Sequence, residues 1–126
     1  MNDSELRSFF QSYGDAFLRT PADIADFYAA PCITARQGQV RVNVTRADVE
    51  VFFTDALARY RAQGSAGGDI ETFASTPLGV NSIAATIKWA YKDSSGSVLW
   101  EWTFTYNLYR VSDGWKILLQ TLHDAA

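Results

Sequence analysis

The sequence predicts an α+β fold in which helices dominate the first half of the chain and strands the second. Apolar residues recur at helical spacing in three segments before residue 65. From residue 83 onward the pattern changes to alternation, which is typical of strands that bury one face. The turn sequences Asp93-Ser94-Ser95-Gly96 and Asp113-Gly114 divide this second part into three consecutive antiparallel strands.

Three helices follow from the helical spacing. The first is predicted over residues 4–19, and its apolar face consists of Leu6, Phe9, Phe10, Tyr13 and Phe17. The second is short and starts at Pro21, because the fixed φ angle of proline suits the first turn of a helix. The third is capped by Thr45 together with Asp48, and its apolar stripe continues until Gly64.

Between the second and third helices, alternation over residues 32–44 predicts a hairpin that turns at Gln37-Gly38. This register puts Ile33, Ala35, Val40 and Val42 on one face. The polar residues then form the other face, so that Arg36 is expected on the outside of the hairpin. A less regular strand over residues 69–75 precedes the three long strands.

The three long strands are predicted to gather all four tryptophans on one face. Each tight turn sets the register of the next strand, and a shift of one residue would exchange the two faces. The aromatic face is predicted to include Trp89, Trp100, Trp102, Tyr106 and Trp115, and to end in Thr121 and His123. So many large rings on one face indicate a cavity that holds a small apolar or aromatic molecule.

The opposite face of the same strands mixes small, polar and apolar groups, including Lys88, Glu101, Leu118 and Leu122. It is too rich in leucine and tyrosine for bare solvent and too polar for a core. Interfaces between subunits have this kind of mixed composition. We therefore expect a homodimer that forms through the outer face of the sheet.

Composition limits the class of protein further. The 126 residues are expected to form a single domain, 1–126, and the net charge of −3 argues against binding of nucleic acid. No apolar run approaches the roughly 20 residues of a membrane-spanning helix. Neither an export signal nor a second cysteine beside Cys32 is present, which predicts a cytoplasmic protein. The spacing of Cys32, His123 and the carboxylates predicts neither a metal site nor a cofactor.

The order of elements resembles the nuclear transport factor 2-like superfamily, which includes ketosteroid isomerase-like and SnoaL-like proteins. The likeness spans residues 6–123 and includes Phe27-Tyr28-Ala29 before the first strand and Asp113-Gly114-Trp115-Lys116-Ile117 in the last hairpin. It implies a cystatin-like cone. In such a cone a strongly curved, mixed but mainly antiparallel sheet wraps around the three helices of the N-terminal half and leaves a pocket.

Tyr13 and His123 are the candidate catalytic residues. The resemblance implies that Tyr13 donates a hydrogen bond to a developing oxyanion. His123 is the only histidine, and its ordinary pKa suits proton transfer near neutral pH. The general-base aspartate of ketosteroid isomerase-like enzymes falls at or next to Arg36, where no carboxylate stands, so steroid-type isomerisation is not expected.

The candidate ligand-binding residues are Phe17, Tyr28, Arg36, Trp89, Trp102 and Tyr106. Arg36 would bind a carboxylate or enolate if it turned inward, against the alternation of its hairpin. Two functions remain open. The protein is either a lyase or isomerase of SnoaL-like type acting on a small apolar or aromatic substrate, or a non-catalytic ligand-binding or homodimeric association module. Two polar groups that meet at the floor of the pocket would favour the enzyme.

Overall fold

A computed structural model describes residues 1–124, and within them three helices pack on a six-stranded sheet. The helices are α1 (Asp3–Ala16), α2 (Pro21–Ala25) and α3 (Arg46–Ala62). The strands are β1 (Tyr28–Arg36), β2 (Gln39–Asn43), β3 (Gly68–Pro77), β4 (Ser82–Lys92), β5 (Val98–Val111) and β6 (Gly114–Leu122). The predicted α+β class is confirmed. No helix in this described part of the chain has the length and apolar character needed to cross a membrane.

The sheet is mixed but mainly antiparallel, and its strand order is β2-β1-β6-β5-β4-β3. Strand β1 runs parallel to β6, while the other neighbouring strands pair antiparallel. This order places the first hairpin beside the last strand. The last strand, β6, therefore lies in the middle of the sheet, between β1 and β5.

Local signals in the sequence position the elements. Pro21 occupies the first turn of α2, and Thr45 and Asp48 form a reciprocal capping box at the start of α3. The hairpin turns at Gln37 and Gly38, which both have positive φ angles, of 51° and 79°. These angles match the two-residue turn that the sequence predicts there.

The tryptophans lie on the face of the sheet that the helices cover. Trp89 pairs with Trp102 across β4 and β5, and Trp115 of β6 pairs with a residue of the same β5 face. All four tryptophans belong to the core or pack against it. The prediction that alternation gathers the indole rings on one side of the sheet is confirmed.

The predicted orientation of the first hairpin was wrong. Val40 and Val42 are 74% and 57% exposed, whereas Asn43 is 1% exposed. Thr34 and Asn43 of the polar face are buried, and the amide of Asn43 has a partner, since its Oδ1 accepts a hydrogen bond of 2.8 Å from Arg41 Nε. Arg36 consequently turns towards the helices rather than towards solvent.

The predicted face of the last residues of β6 was also wrong. Leu108 pairs with Ile117 but Asn107 pairs with Leu119, so that β6 contains one extra residue at this point. Such a β-bulge reverses the alternation beyond it. Gln120 therefore points towards the helices. His123 is exposed on the outer face, where its Nε2 lies 2.7 Å from Thr105 Oγ1.

Candidate ligand-binding pocket

A cavity of about 140 Å³ lies between the helices and the aromatic face of the sheet. Its aromatic lining consists of Tyr13, Phe17, Tyr60, Trp89, Tyr91, Phe104 and Tyr106. Arg36 and Gln120 add polar groups, and Arg61 and residues 65–68 also line it. An apolar protein cavity of about 150 Å³ accommodates benzene, so this volume suits one aromatic ring.

Gln120 connects the polar groups on one side of the cavity. It is fully buried, and its Nε2 donates to the Tyr28 hydroxyl at 2.8 Å and lies 3.5 Å from the Tyr13 hydroxyl. Its Oε1 accepts a hydrogen bond of 2.7 Å from Arg36 Nε. The bulge in β6 is what directs this amide inward, so an irregularity of the strand creates the polar centre of the pocket.

Tyr13 and Tyr28 form the buried end of this network. Their hydroxyl oxygens are 2.6 Å apart, and both rings are almost completely buried. Burial raises the pKa of both phenols well above the ordinary value. Both hydroxyls are therefore neutral near pH 7, and one of them donates to the other.

Arg36 occupies the other end of the network. Its Nη1 donates to the Tyr60 hydroxyl at 2.6 Å, and its guanidinium lies 5.0 Å from the ring centre of Phe104 and 5.1 Å from that of Phe52. Burial acts to lower the pKa of Arg36, but the neighbouring Tyr60 phenol offsets it and the pKa is raised overall. The guanidinium is therefore charged in the folded protein.

The charge of Arg36 has no carboxylate partner in the part of the chain that the structure describes. Within residues 1–124, the ion pairs involve other arginines and lysines, and the hydrogen bonds of Arg36 go to an amide and a phenol. Within the described chain, the cavity lining includes a second arginine, Arg61, but contains no aspartate, glutamate or histidine. The cavity is thus locally positive in a protein whose net charge is −3.

Trp89 and Tyr106 form a second polar pair beside the cavity. The indole Nε1 donates to the Tyr106 hydroxyl at 3.0 Å, and burial raises the pKa of that phenol well above its usual value. Gly14 allows α1 to approach this pair, because a Cβ atom at Gly14 would lie 3.1 Å from the indole ring of Trp89. The indole is therefore held between the helix and the phenol.

The structure brings together most of the predicted ligand-binding residues. Of these, Phe17, Arg36, Trp89 and Tyr106 line the cavity, as does the candidate catalytic residue Tyr13. Tyr28 lies behind Tyr13, and Trp102 packs behind the lining, with its ring centre 5.8 Å from that of Tyr60. His123 lies outside the cavity, on the outer face of the sheet, so the two candidate catalytic residues, Tyr13 and His123, do not meet.

Sequence reasoning overlooked two residues that matter to the site. Tyr60 belongs to the apolar stripe of α3, and no local pattern shows that its hydroxyl accepts a hydrogen bond from Arg36, 24 residues away in the sequence. Gln120 lies between Leu118 and Leu122 in regular alternation, which predicts the outer face, because alternation alone does not reveal a bulge. Among residues 1–124, the acidic, cysteine and histidine side chains form no group of three that could hold a metal ion.

The fold matches solved structures of NTF2-like proteins. Aln2 from a Streptomyces species superposes with a TM-score of 0.77 at 13% identity, over 95% of this chain and 88% of Aln2. An NTF2-like protein with a cystatin-like fold from Novosphingobium aromaticivorans gives 0.74 at 15% identity, over 94% and 79% of the two chains. The yeast UBP3-associated protein BRE5 gives 0.73 at 19% identity, over 96% and 94%. These likenesses establish the cystatin-like cone.

The sequence narrows this class to one family. Residues 4–125 match the family described as NTF2-like protein (DUF6841), and the chain therefore belongs to it. The resemblance to the nuclear transport factor 2-like superfamily is thereby confirmed. A search of curated proteins returned no match.

Proposed function

We propose that this protein binds a small aromatic molecule in the cavity and does not transform it. The observation that carries the proposal is the cavity itself, whose volume of about 140 Å³ and aromatic lining suit a single ring. Rings such as Trp89 and Phe104 offer apolar surface and edge-to-face contacts to an aromatic guest. The fold places this cavity between rigid elements, as expected of a preformed ligand site.

Polar groups do meet at the cavity, as an enzyme would require, but their chemistry favours binding over proton transfer. A SnoaL-like lyase or isomerase would need a group that exchanges a proton near neutral pH. The phenols of Tyr13 and Tyr106 have raised pKa values, and a guanidinium or amide does not titrate in that range. His123, the candidate base, is exposed on the other side of the sheet.

Tryptophan fluorescence tests this function directly. Titration with benzamide, a neutral single-ring probe, is expected to change the emission in a saturable way, because Trp89 lines the cavity. The variant Trp89→Phe should lose most of this change. The matched control Trp115→Phe should keep it, since Trp115 lies outside the lining. A response that grows linearly with probe concentration, or one that survives in Trp89→Phe and disappears in Trp115→Phe, would contradict the proposal.

A second candidate function is self-association through the outer face of the sheet. The exposed residues Ile33 and Val42 pair across β1 and β2, and Val40 lies beside them on the same face. Apolar side chains that are exposed on an edge hairpin favour a protein contact. A second copy of the chain is the partner we propose, because an isologous contact covers the same patch on both subunits.

A further inference from the structure

We infer that the ligand of the cavity is an aromatic carboxylate, and that Arg36 and Tyr60 bind its carboxylate group. This inference rests on the proposed function, because it specifies the chemistry of the same ligand. Three features carry it: the Arg36 guanidinium, which has no carboxylate partner within residues 1–124, the Tyr60 hydroxyl, whose proton has no acceptor there, and the aromatic cavity beside them.

The guanidinium of Arg36 has N–H donors that make no hydrogen bond within residues 1–124. Two of its nitrogens donate hydrogen bonds, Nε to Gln120 and Nη1 to Tyr60, and Nη2 donates none within residues 1–124. The planar guanidinium carries five N–H groups in a fixed fork that matches the two oxygens of a carboxylate. The cavity therefore contains a positively charged donor whose orientation is fixed by its hydrogen bonds to Gln120 and Tyr60.

Tyr60 supplies a second donor at the same place. Its hydroxyl oxygen accepts the hydrogen bond from Arg36, so its own proton has to be donated elsewhere. The structure shows no acceptor for that proton among the described residues, and the side chain is buried against the cavity. A carboxylate beside Arg36 would accept from both groups.

The half-buried positive charge of Arg36 needs an opposite charge or contact with solvent. Removal of a cation from water is unfavourable unless it is paired, and the lining of the described chain contains no carboxylate. A ligand that brings one negative charge satisfies this requirement. Arg61, the other arginine of the lining, is exposed to solvent, so Arg36 is the half-buried guanidinium that needs a counter-ion. A monoanionic carboxylate matches this one charge better than a phosphate group, which carries about two negative charges at neutral pH.

The aromatic part of the ligand follows from what surrounds the guanidinium. Phe104 lies below Arg36 and also lines the cavity, next to Tyr106. A ring attached directly to the carboxylate would lie in the apolar space beside the guanidinium. Benzoate is a small molecule with both features.

Paired titrations with benzoate and benzamide test the inference. The two molecules have nearly the same shape, but only benzoate carries a charge. Wild-type protein is expected to bind benzoate at least tenfold more tightly than benzamide. Arg36→Met should abolish this preference by lowering benzoate affinity much more than benzamide affinity. Arg36→Lys should retain part of the preference, because lysine keeps the positive charge but lacks the planar pair of N–H donors. The control Arg59→Met removes an exposed arginine outside the lining, and should behave like wild type.

The outcomes separate the two proposals. If neither molecule binds, the proposed function fails, and the carboxylate assignment fails with it. If both bind wild-type protein with equal affinity, the aromatic pocket stands and the carboxylate assignment is wrong. The same conclusion follows if Arg36→Met and Arg59→Met reduce benzoate affinity equally. Should Arg36→Met fail to fold, the comparison of the two probes on wild-type protein still decides between these results.

Discussion

Gln120 shows how one residue organises the pocket. Its side-chain amide donates a hydrogen bond to the Tyr28 hydroxyl and accepts one from Arg36. It therefore fixes the position of the guanidinium without neutralising its charge. A carboxylate at the same position would make the same contact with Arg36 and also supply the missing negative charge. The chemical identity of residue 120 therefore determines whether the cavity remains positive.

Gln120→Glu is expected to abolish the preference for benzoate. The substitution is almost isosteric, but it places an internal counter-ion against Arg36 and repels an incoming carboxylate. Benzoate affinity should fall at least tenfold, while benzamide affinity changes little, as measured by tryptophan fluorescence. Gln11→Glu introduces the same charge at an exposed position of α1 and serves as the control. Undiminished benzoate affinity in Gln120→Glu would show that Arg36 is not the anion-binding group.

His123→Ala should leave the pocket unaffected. The side chain is exposed, and its hydrogen bond with Thr105 lies on the outer face of the sheet. We expect unchanged affinity for benzoate and a change in the free energy of unfolding within about 0.5 kcal/mol. Urea denaturation and ligand titration measure both quantities. A clear loss of ligand affinity would restore His123 as a candidate site residue.

The buried tyrosines predict a loss of stability at high pH. Burial raises the pKa values of Tyr13, Tyr28 and Tyr106 above about 10, so the folded chain keeps these protons after the unfolded chain has released them. Their contribution to stability is complete below pH 10 and is lost as the pH rises towards the folded pKa values.

Each of these phenols should lower the free energy of unfolding by about 1.4 kcal/mol for each pH unit above 10. Urea unfolding at a series of pH values between 9 and 11 measures the slope. In Tyr13→Phe the slope should become shallower by the contribution of one phenol, about 1.4 kcal/mol for each pH unit above 10. Ionisation of all six tyrosines near pH 10 in protein that is still folded, seen as ultraviolet absorbance, would contradict the burial described here.

At the scale of secondary structure elements, the sequence predicts well where alternation is regular. The helices, the caps and the turn at Gln37-Gly38 follow from local signals, and the aromatic faces of β4 and β5 follow from period two. The two errors arise from effects beyond local sequence. The face of the β1–β2 hairpin depends on distant partners of Arg36, namely Gln120 and Tyr60, and the bulge in β6 depends on its register against β5.

The same two errors explain why the site was only partly predicted. Aromatic residues are assigned correctly because ring size and alternation both place them in the interior. Arg36 and Gln120 are buried only because each satisfies the other, and a pairing across 84 residues of sequence leaves no local pattern. Tertiary hydrogen bonding, rather than hydrophobicity, determines the polar half of the pocket.

For the whole molecule, the inverted hairpin places apolar side chains on the outside. We expect the wild-type protein to have twice the 14.0 kDa mass of one chain in light scattering. Val42→Lys should return the mass to that of a single chain, because it places a charge in the proposed contact. Val51→Lys is the control, since Val51 on α3 has a similar exposure of 54%. A single-chain mass for wild-type protein at high concentration would refute self-association.

The molecule as a whole combines a negative net charge with a positive, aromatic interior. A crystal structure of the protein with benzoate tests this account most directly. We predict the ring inside the cavity and the carboxylate oxygens at about 2.7–2.9 Å from Arg36 Nη2 and at hydrogen-bond distance from the Tyr60 hydroxyl. An empty cavity, or benzoate bound with its carboxylate directed away from Arg36, would contradict it.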